Sequence, residues 1–536
     1  MVVQLRDDLQ SLQVIVPGLY PSWRKNQLEV IEQVHDSLKQ HIAIQAPTGF
    51  GKSASAAGSL IAAGDRGIIL TLTKQLGDQY YRDFFPIGLK TVKGRGNFQC
   101  ALVREKTADV APCVAGMKCS FKRGGCDYYD QKREAVESSL VSMNIKYFLY
   151  EANYGGEFPG IKSLFIDEAH KLEDSVKDFI EVRFSKARFR EEGQPLPTVL
   201  TFESLSAWVD NTIGTIEAEL EQVLMELEED PHNDILTIRG IRLSAAKNAL
   251  DKFELVDSTW VIDEDDYAII LKPVWVGKYL DQVLYRHAEK TIFMSATLPR
   301  SVLESLNIID YDYINLPSSF DSKSRPVIWV PAANLARSAK NPMLELRKLT
   351  SAIDAAADKF SDKKGIIHTV NYRISEYILE NSRHKDRIVT HKNAQEREQV
   401  LNLFKKSDKP LILVSPSFTD GIDLPYDECR WQCIAKIPYD NLGDKQVKAR
   451  ANADPQWYAT SAIVTLIQAY GRIMRADDDH GVTYIFDSSL MYLINNWRVI
   501  FDQVSWFLDA LLILQNNTLV PFNEFIVSPQ FSNSRK

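Results

Sequence analysis

Short apolar runs alternate with amphipathic stretches along most of the chain. Residues 41–45, 67–72, 163–166 and 291–294 form one group of such runs, and residues 365–369, 410–414, 431–436 and 482–486 form a second. Apolar runs this short, placed between helical patterns, are the signature of strands buried on both faces of a parallel sheet. The expected fold is therefore α/β, with two sheet domains joined near residues 317–326. Two spacings break the rhythm. Neighbouring parallel strands need a crossover of about 30 residues, yet far more chain separates residue 72 from 163, and 166 from 291. Each excess predicts an insertion in the first domain. The second, about residues 176–278, carries Ile213, Ile216, Leu220, Val223, Leu224 and Leu227 at helical spacing beside an acidic face of Glu217, Glu221, Glu228 and Glu229. No internal repeat or low-complexity tract stands out.

Composition narrows the classes. With 536 residues, 45% hydrophobic and 25% charged, the chain has the balance of a globular protein of about three or four domains. Its formal net charge of -8 excludes a uniformly basic surface, so a nucleic-acid partner would need a local basic groove. No apolar run reaches the ~18 residues of a membrane span. Arg6, Asp7 and Asp8 precede any apolar stretch, unlike a secretory signal. The expectation is a cytoplasmic protein. Six cysteines are too few for a disulfide framework in a chain this long, but Cys100, Cys113, Cys119 and Cys126 lie close together. In a reducing compartment, four clustered thiols suggest a metal or cluster site.

The chemistry begins at Gln45-Ala46-Pro47-Thr48-Gly49-Phe50-Gly51-Lys52-Ser53, between a strand and a small-residue helix. Glycines let backbone N–H groups curl around a polyphosphate. Lys52 would then reach the outer phosphates and the Ser53 hydroxyl would ligate Mg²⁺. Ala46 departs from the strict pattern, which starts with glycine. Further on, Leu164-Phe165-Ile166 delivers Asp167 and Glu168 at a strand's C-terminal end, followed by Ala169 and His170. Asp167 would hold Mg²⁺ through water, and Glu168 would orient and deprotonate the attacking water.

These segments resemble motifs I and II (DEAH) of superfamily 2 helicases. Others follow in the family's order. Arg24 and Gln27 are similar to the adenine-reading Q motif. Thr71, Thr73, Lys74, Leu76 and Gln79 resemble motif Ia. Residues 295–298 resemble motif III, 420–425 (including Asp420 and Asp423) motif V, and 468–475 motif VI. Arg472 and Arg475 are three apart, hence on one helix face, and guanidinium forks suit a transferring γ-phosphoryl group. With Gln468 they lie in the second domain, while Lys52 and Asp167 lie in the first. ATP would therefore sit between the domains, and its hydrolysis would move them. The resemblance implies that Thr73 and Gln79 contact the DNA backbone, that Thr297 couples the nucleotide site to DNA, and that Asp423 faces ATP.

The cysteines are spaced C-x12-C-x5-C-x6-C, without a C-x2-C knuckle. Spacing alone leaves zinc, a [4Fe–4S] cluster and unligated thiols open. Their place between motifs Ia and II is similar to the iron–sulfur domain of the XPD/DinG helicase group, as are residues 93–98 and 128–132. The resemblance implies two RecA-like motor domains. The first comprises residues 1–92, 141–175 and 279–318, the second residues 319–536. A cluster insertion spans 93–140 and an arch-like insertion 176–278. It also implies ATP, Mg²⁺ and [4Fe–4S] as cofactors, with the cluster as a structural staple. Lys93, Arg95, Phe98, Lys118, Phe121, Lys122, Arg123, Tyr128 and Tyr129 surround the thiols. Basic groups tracking phosphates and rings stacking on bases would make a path for single-stranded DNA. The expected activity is ATP-dependent movement along single-stranded DNA, 5′→3′ by family likeness, coupled to duplex unwinding, with single-stranded and forked DNA as partners. The alternative is a DNA-stimulated translocase that displaces proteins or acts on RNA–DNA hybrids. No membrane partner is expected, and no protein partner is identifiable. Cys429 and Cys433 read as ordinary thiols.

Overall fold

The computed structural model describes residues 22–64, 66–318, 321–336, 338–417, 422, 424–473, 478–515 and 518–525. Five strands come first: β1 (His41–Gln45), β2 (Gly67–Thr71), β3 (Lys90–Val92), β4 (Leu140–Asn144) and β5 (Ile161–Asp167). The chain then leaves to build β6 (Val182–Ser185), β7 (Val261–Glu264) and β8 (Ala268–Lys272), and returns with β9 (Ala288–Ser295) and β10 (Tyr311–Asn315). The first sheet has the order β10-β1-β9-β5-β2-β4-β3, with every pair parallel. Ile68, Ile69, Leu70, Leu164, Phe165 and Ile166 are fully buried, because helices cover both faces. β9 lies between β1 and β5, in register from Gln45 to Ser295 and from Asp167 to Met294. The loop after β1, the acids after β5 and Ser295 thus emerge side by side at the carboxyl edge, where open α/β sheets bind ligands.

The second sheet is made of β11 (Val327–Ala333), β12 (Gly365–His368), β13 (Ile388–Thr390), β14 (Ile412–Ser415), β15 (Trp431–Ile434), β16 (Val482–Asp487), β17 (Leu511–Gln515) and β18 (Thr518–Pro521). Its order is β13-β14-β12-β15-β16-β11-β17-β18, parallel except for the closing β17–β18 hairpin. The molecule is therefore α/β with two RecA-like domains. No described helix is long and apolar enough to cross a membrane.

Both long connections leave the first sheet. Residues 93–139, between β3 and β4, carry the four cysteines: Cys113 lies within a short helical turn, Cys119 and Cys126 immediately precede helices, and Cys100 lies in a loop. The second departure is helical and also contains strands: β6, β8 and β7 form an antiparallel sheet beside a hairpin of the helices Phe202–Glu229 and Asp234–Asp251. The first helix starts where Thr201 accepts the N–H of Ser204, the second where Asn233 accepts that of Leu236. Leu205, Val209, Thr212, Ile216, Leu220, Val223 and Leu227 recur at three- and four-residue steps and are buried.

The two insertions touch. Lys106 pairs with Asp234, and Gly240 sits so close to the cysteine segment that a Cβ there would lie 2.8 Å from Ala115 Cβ. Gly240→Leu should therefore prise the helical hairpin from the cysteine segment at a cost of about 1–3 kcal/mol. Gly214→Ala, whose Cβ would meet nothing within 4 Å, should instead stabilise the hairpin by about 1 kcal/mol. Denaturant midpoints of the two variants should move in opposite directions.

Candidate functional site

The loop after β1 turns through Gly49 (φ 89°) and Gly51 (φ 88°), conformations that favour glycine, and the helix Lys52–Ala63 starts at once. Two upstream side chains brace it. Gln27 Nε2 donates to Gly51 O at 3.0 Å, Arg24 donates to Gly49 O, and the Arg24 N–H donates to Gln27 Oε1 at 2.6 Å. A Cβ on Gly51 would come within 2.4 Å of Gln27 Nε2, so this glycine is needed for space as well as for φ. Phe50 is buried in the helix-side core. Thr48 faces the second domain, with its hydroxyl 3.5 Å from where a Cβ of Gly471 would stand.

Asp167 ends β5 with 2% exposure. Tyr80 O–H donates to its Oδ2 at 2.9 Å, and the Glu168 N–H donates to Oδ1 at 2.9 Å. Burial, aided by the negative charge of Glu168, pushes the carboxyl up to about 6, while Lys52 and the Tyr80 hydroxyl pull it down. Glu168 has φ 55°, the left-handed region that a residue with a Cβ rarely adopts. From there contacts run on. Glu168 Oε2 lies 3.4 Å from His170 Nδ1, and that nitrogen shares a 2.8 Å hydrogen bond with Ser295 Oγ. Ser295 Oγ accepts the Thr297 N–H at 3.1 Å, and Gln468 Nε2 donates to Thr297 Oγ1 at 3.3 Å. The last step crosses from one sheet domain to the other.

Arg472 stands behind that crossing, 9% exposed. It donates to Gln468 O (3.0 Å), Gln468 Oε1 (3.3 Å) and Ile422 O (3.2 Å), all in the second domain. Arg475 and Asp423, the other residues assigned to the nucleotide from motifs VI and V, lie outside the described residues. Ser53 occupies the first turn of the helix after the loop.

A second junction has no counterpart in the motif reading. Arg450 of the second domain pairs with Glu173, three residues after His170. Its Cζ lies 3.8 Å from the ring centre of Trp457 and 4.8 Å from that of Trp275, just after β8. Trp457 Nε1 and Ser305 Oγ also donate to Glu173, at 3.4 and 3.3 Å. Burial raises the Glu173 carboxyl against the pull of Arg450. Lys272–Asp444 (2.8 Å) and Lys445–Asp263 (3.0 Å) extend the contact. A cleft of about 250 Å³ opens beside it, lined by His170, Lys177, Arg450, Trp457 and Gln468 among others.

In the cysteine insertion Cys100 and Cys126 are buried, and Cys113 and Cys119 partly so. The Val103 N–H donates to Cys100 Sγ at 3.3 Å. Arg95 donates to Cys113 Sγ at 3.3 Å and to Tyr129 OH at 3.2 Å, with its Cζ 4.9 and 5.5 Å from the ring centres of Tyr128 and Tyr129. Burial pushes the Cys113 thiol up, Arg95 pulls it down, and Cys100 and Cys119 are near enough to influence it. Among the described residues no three His, Cys, Asp or Glu side chains converge to hold a metal ion. The aromatic part of the expected stacking surface is corrected. Tyr128 and Tyr129 are buried, packed with Phe98 and Phe121 around Cys126. Lys93, Lys118, Lys122 and Arg123 are exposed. Cys429 and Cys433 are buried core thiols, both pushed upward by burial.

Arg450→Ala leaves the Glu173 carboxylate without its cation, at an expected cost of about 3–5 kcal/mol. Arg450→Lys should recover only part of it, because an ammonium cannot reproduce the guanidinium's fork to Glu173 together with its contacts to two mutually perpendicular indoles. Denaturant titration of both variants checks the order.

Comparison with known proteins agrees with this geometry. The DEAD/DEAH box helicase family matches residues 24–207, and the helicase C-terminal domain family matches residues 359–500. The chain is 21% identical to the ATP-dependent DNA helicase YoaA of Escherichia coli (strain K12), over 89% of this chain and 92% of that protein. It is 26% identical to the ATP-dependent DNA helicase DinG of Photobacterium profundum, over 43% of this chain and 36% of that protein. A solved XPD helicase structure superposes with a TM-score of 0.64 at 15% identity, covering 90% of this chain and 97% of that one. With the phosphate loop, the DEAH acids and the bridge to Gln468 in their places, the chain carries a DEAD/DEAH box helicase domain followed by a helicase C-terminal domain, and it is similar to the XPD/DinG-like superfamily 2 helicases.

Proposed function

We propose that this chain is an ATP-dependent DNA helicase that moves 5′→3′ along single-stranded DNA and separates forked duplexes. The observation that carries this reading is the run of contacts from Glu168 through His170, Ser295 and Thr297 to Gln468. A run like this lets an event at the phosphates bias how the domains meet. Arg24, Gln27, Thr48, Gly49, Phe50 and Gly51 shape the nucleotide cradle, and Lys52 neutralises the outer phosphates. Ser53 and Asp167 would hold Mg²⁺; two hydrogen bonds occupy only part of the acceptor capacity of Asp167, leaving lone pairs for the ion. When bound, the ion offsets phosphate charge. Glu168 orients the attacking water and takes its proton. Arg472 would face the transferring γ-phosphoryl group once closure brings motif VI forward, and the motif reading gives Arg475 the same role and assigns Asp423 to ATP. Loss of that group removes the reason for the domains to close, and the cycle becomes relative motion.

Cys100, Cys113, Cys119 and Cys126 would hold a [4Fe–4S] cluster. The chemistry of the set supports this: four sulfurs in one insertion, two of them accepting hydrogen bonds, Cys100 from the Val103 N–H and Cys113 from Arg95. When bound, the cluster cross-links a segment too small and loop-rich to build its own core. The exposed Lys93, Lys118, Lys122 and Arg123 would track phosphates of the single strand nearby.

The test uses forked DNA with either a 5′ or a 3′ single-stranded arm, Mg²⁺ and ATP. Separation of the 5′-armed substrate alone is expected. DNA-stimulated hydrolysis without separation would replace this reading by protein displacement or action on RNA–DNA hybrids. Lys52→Ala should lower turnover by about 100-fold or more and leave DNA binding intact in a fluorescence-anisotropy titration. Anaerobically purified protein should be coloured, with iron bound. Cys113→Ser should bleach it, whereas colourless, iron-free protein would remove the cluster.

A further inference from the structure

We propose that Tyr80 is a positioning residue for the hydrolytic metal site, tying the DEAH aspartate to the helix on which motif Ia lies. The inference rests on the nucleotide reading above and deepens it. Tyr80 is completely buried in the helix Lys74–Phe84, whose first turn is capped by Thr73 accepting the Leu76 N–H. Its ring packs near Phe84, 5.9 Å between centres, and its hydroxyl reaches Asp167 Oδ2 at the end of β5. The Glu168 N–H holds the other carboxylate oxygen. With one donor on each oxygen, the carboxylate plane cannot rotate without breaking a buried hydrogen bond. One donor belongs to the strand end that carries the acids. The other belongs to a separate helix, whose exposed start carries Thr73 and Lys74 and whose middle carries the half-buried Gln79. A shift of that helix is therefore felt at Asp167 directly, through one rigid phenol ring. Groups that orient a metal's ligands matter nearly as much as the ligands.

Tyr80→Phe removes the donor and keeps the volume. Binding of Mn²⁺ in the presence of ADP, followed by electron paramagnetic resonance, should weaken about 10-fold or more. The Mg²⁺ concentration giving half-maximal ATPase should rise in step, and the stimulation of ATPase by single-stranded DNA should shrink. ADP affinity in EDTA should not change. In an Asp167→Asn background, Tyr80→Phe should add little further loss of Mn²⁺, because both changes act on one carboxylate. A purely structural tyrosine would lower the unfolding midpoint in both backgrounds and leave metal binding where it was. Unchanged Mn²⁺ affinity and unchanged Mg²⁺ dependence in Tyr80→Phe, or an equal further loss in the Asp167→Asn background, would overturn the proposal. If the parent protein itself neither binds Mn²⁺ with ADP nor hydrolyses ATP, the nucleotide reading has failed, and the proposal falls with it.

Discussion

Asp167 is an ionisable group placed where bulk water does not reach. Burial alone would neutralise it, and its carboxyl is in fact displaced upward to about 6. Three things oppose that displacement: the field of Lys52, the O–H of Tyr80 and the N–H of Glu168. Each comes from a different element, so all must be assembled before the site exists. β9, between β1 and β5, spaces the phosphate loop from the acids. The helix Lys74–Phe84 must pack so that a tyrosine points inward. The left-handed Glu168 then turns the chain sharply enough to send its own carboxylate toward His170. Strain of this kind persists only where surrounding contacts over-determine it.

The same economy governs the seam between the sheets. It is polar, crossed by Gln468 to Thr297, by Gln45 Nε2 to the Gln503 carbonyl and by Arg450 to Glu173. Hydrogen bonds and stacked rings can be remade one at a time, whereas a large apolar interface would lock the domains together. The Arg450 stack also draws in Trp275 at the root of the helical insertion, so the second domain is coupled to the insertion as well as to the acids. The far end of that insertion meets the cysteine segment through Gly240 and Asp234. Two segments that interrupt the first sheet at distant points thus share one packing surface.

Much of the fold was legible in the sequence, for a reason tied to burial. β1, β2, β5, β9, β12, β14, β15 and β16 are covered on both faces, and such strands read as near-continuous apolar runs. β3 and β13 are three residues long, too short to show a period. β4 hides Ser142, fully buried, in its middle, and β10 is an edge strand that alternates tyrosines with polar residues. β6 to β8 form an antiparallel sheet in a region where helical spacing dominated the pattern. The phosphate loop and the acids were legible because their chemistry is local. Tyr128 and Tyr129 were misread as surface rings, since composition does not say which side of a ring faces water.

By itself the sequence determined what depends on near neighbours: the glycine turns, the helix start at Lys52, the runs that had to be strands, and the pair of acids at one strand end. Tertiary structure alone decided which distant groups share a desolvated volume. Tyr80 and Asp167 are 87 residues apart, Thr297 and Gln468 171, and Glu173 and Arg450 277. Leu76, Tyr80 and Phe84, four apart, mark the inward face of their helix, but no periodicity says what a hydroxyl on that face will meet. The free energy of a charge depends on everything within a few ångströms of it, and that neighbourhood comes into being only when the chain has folded.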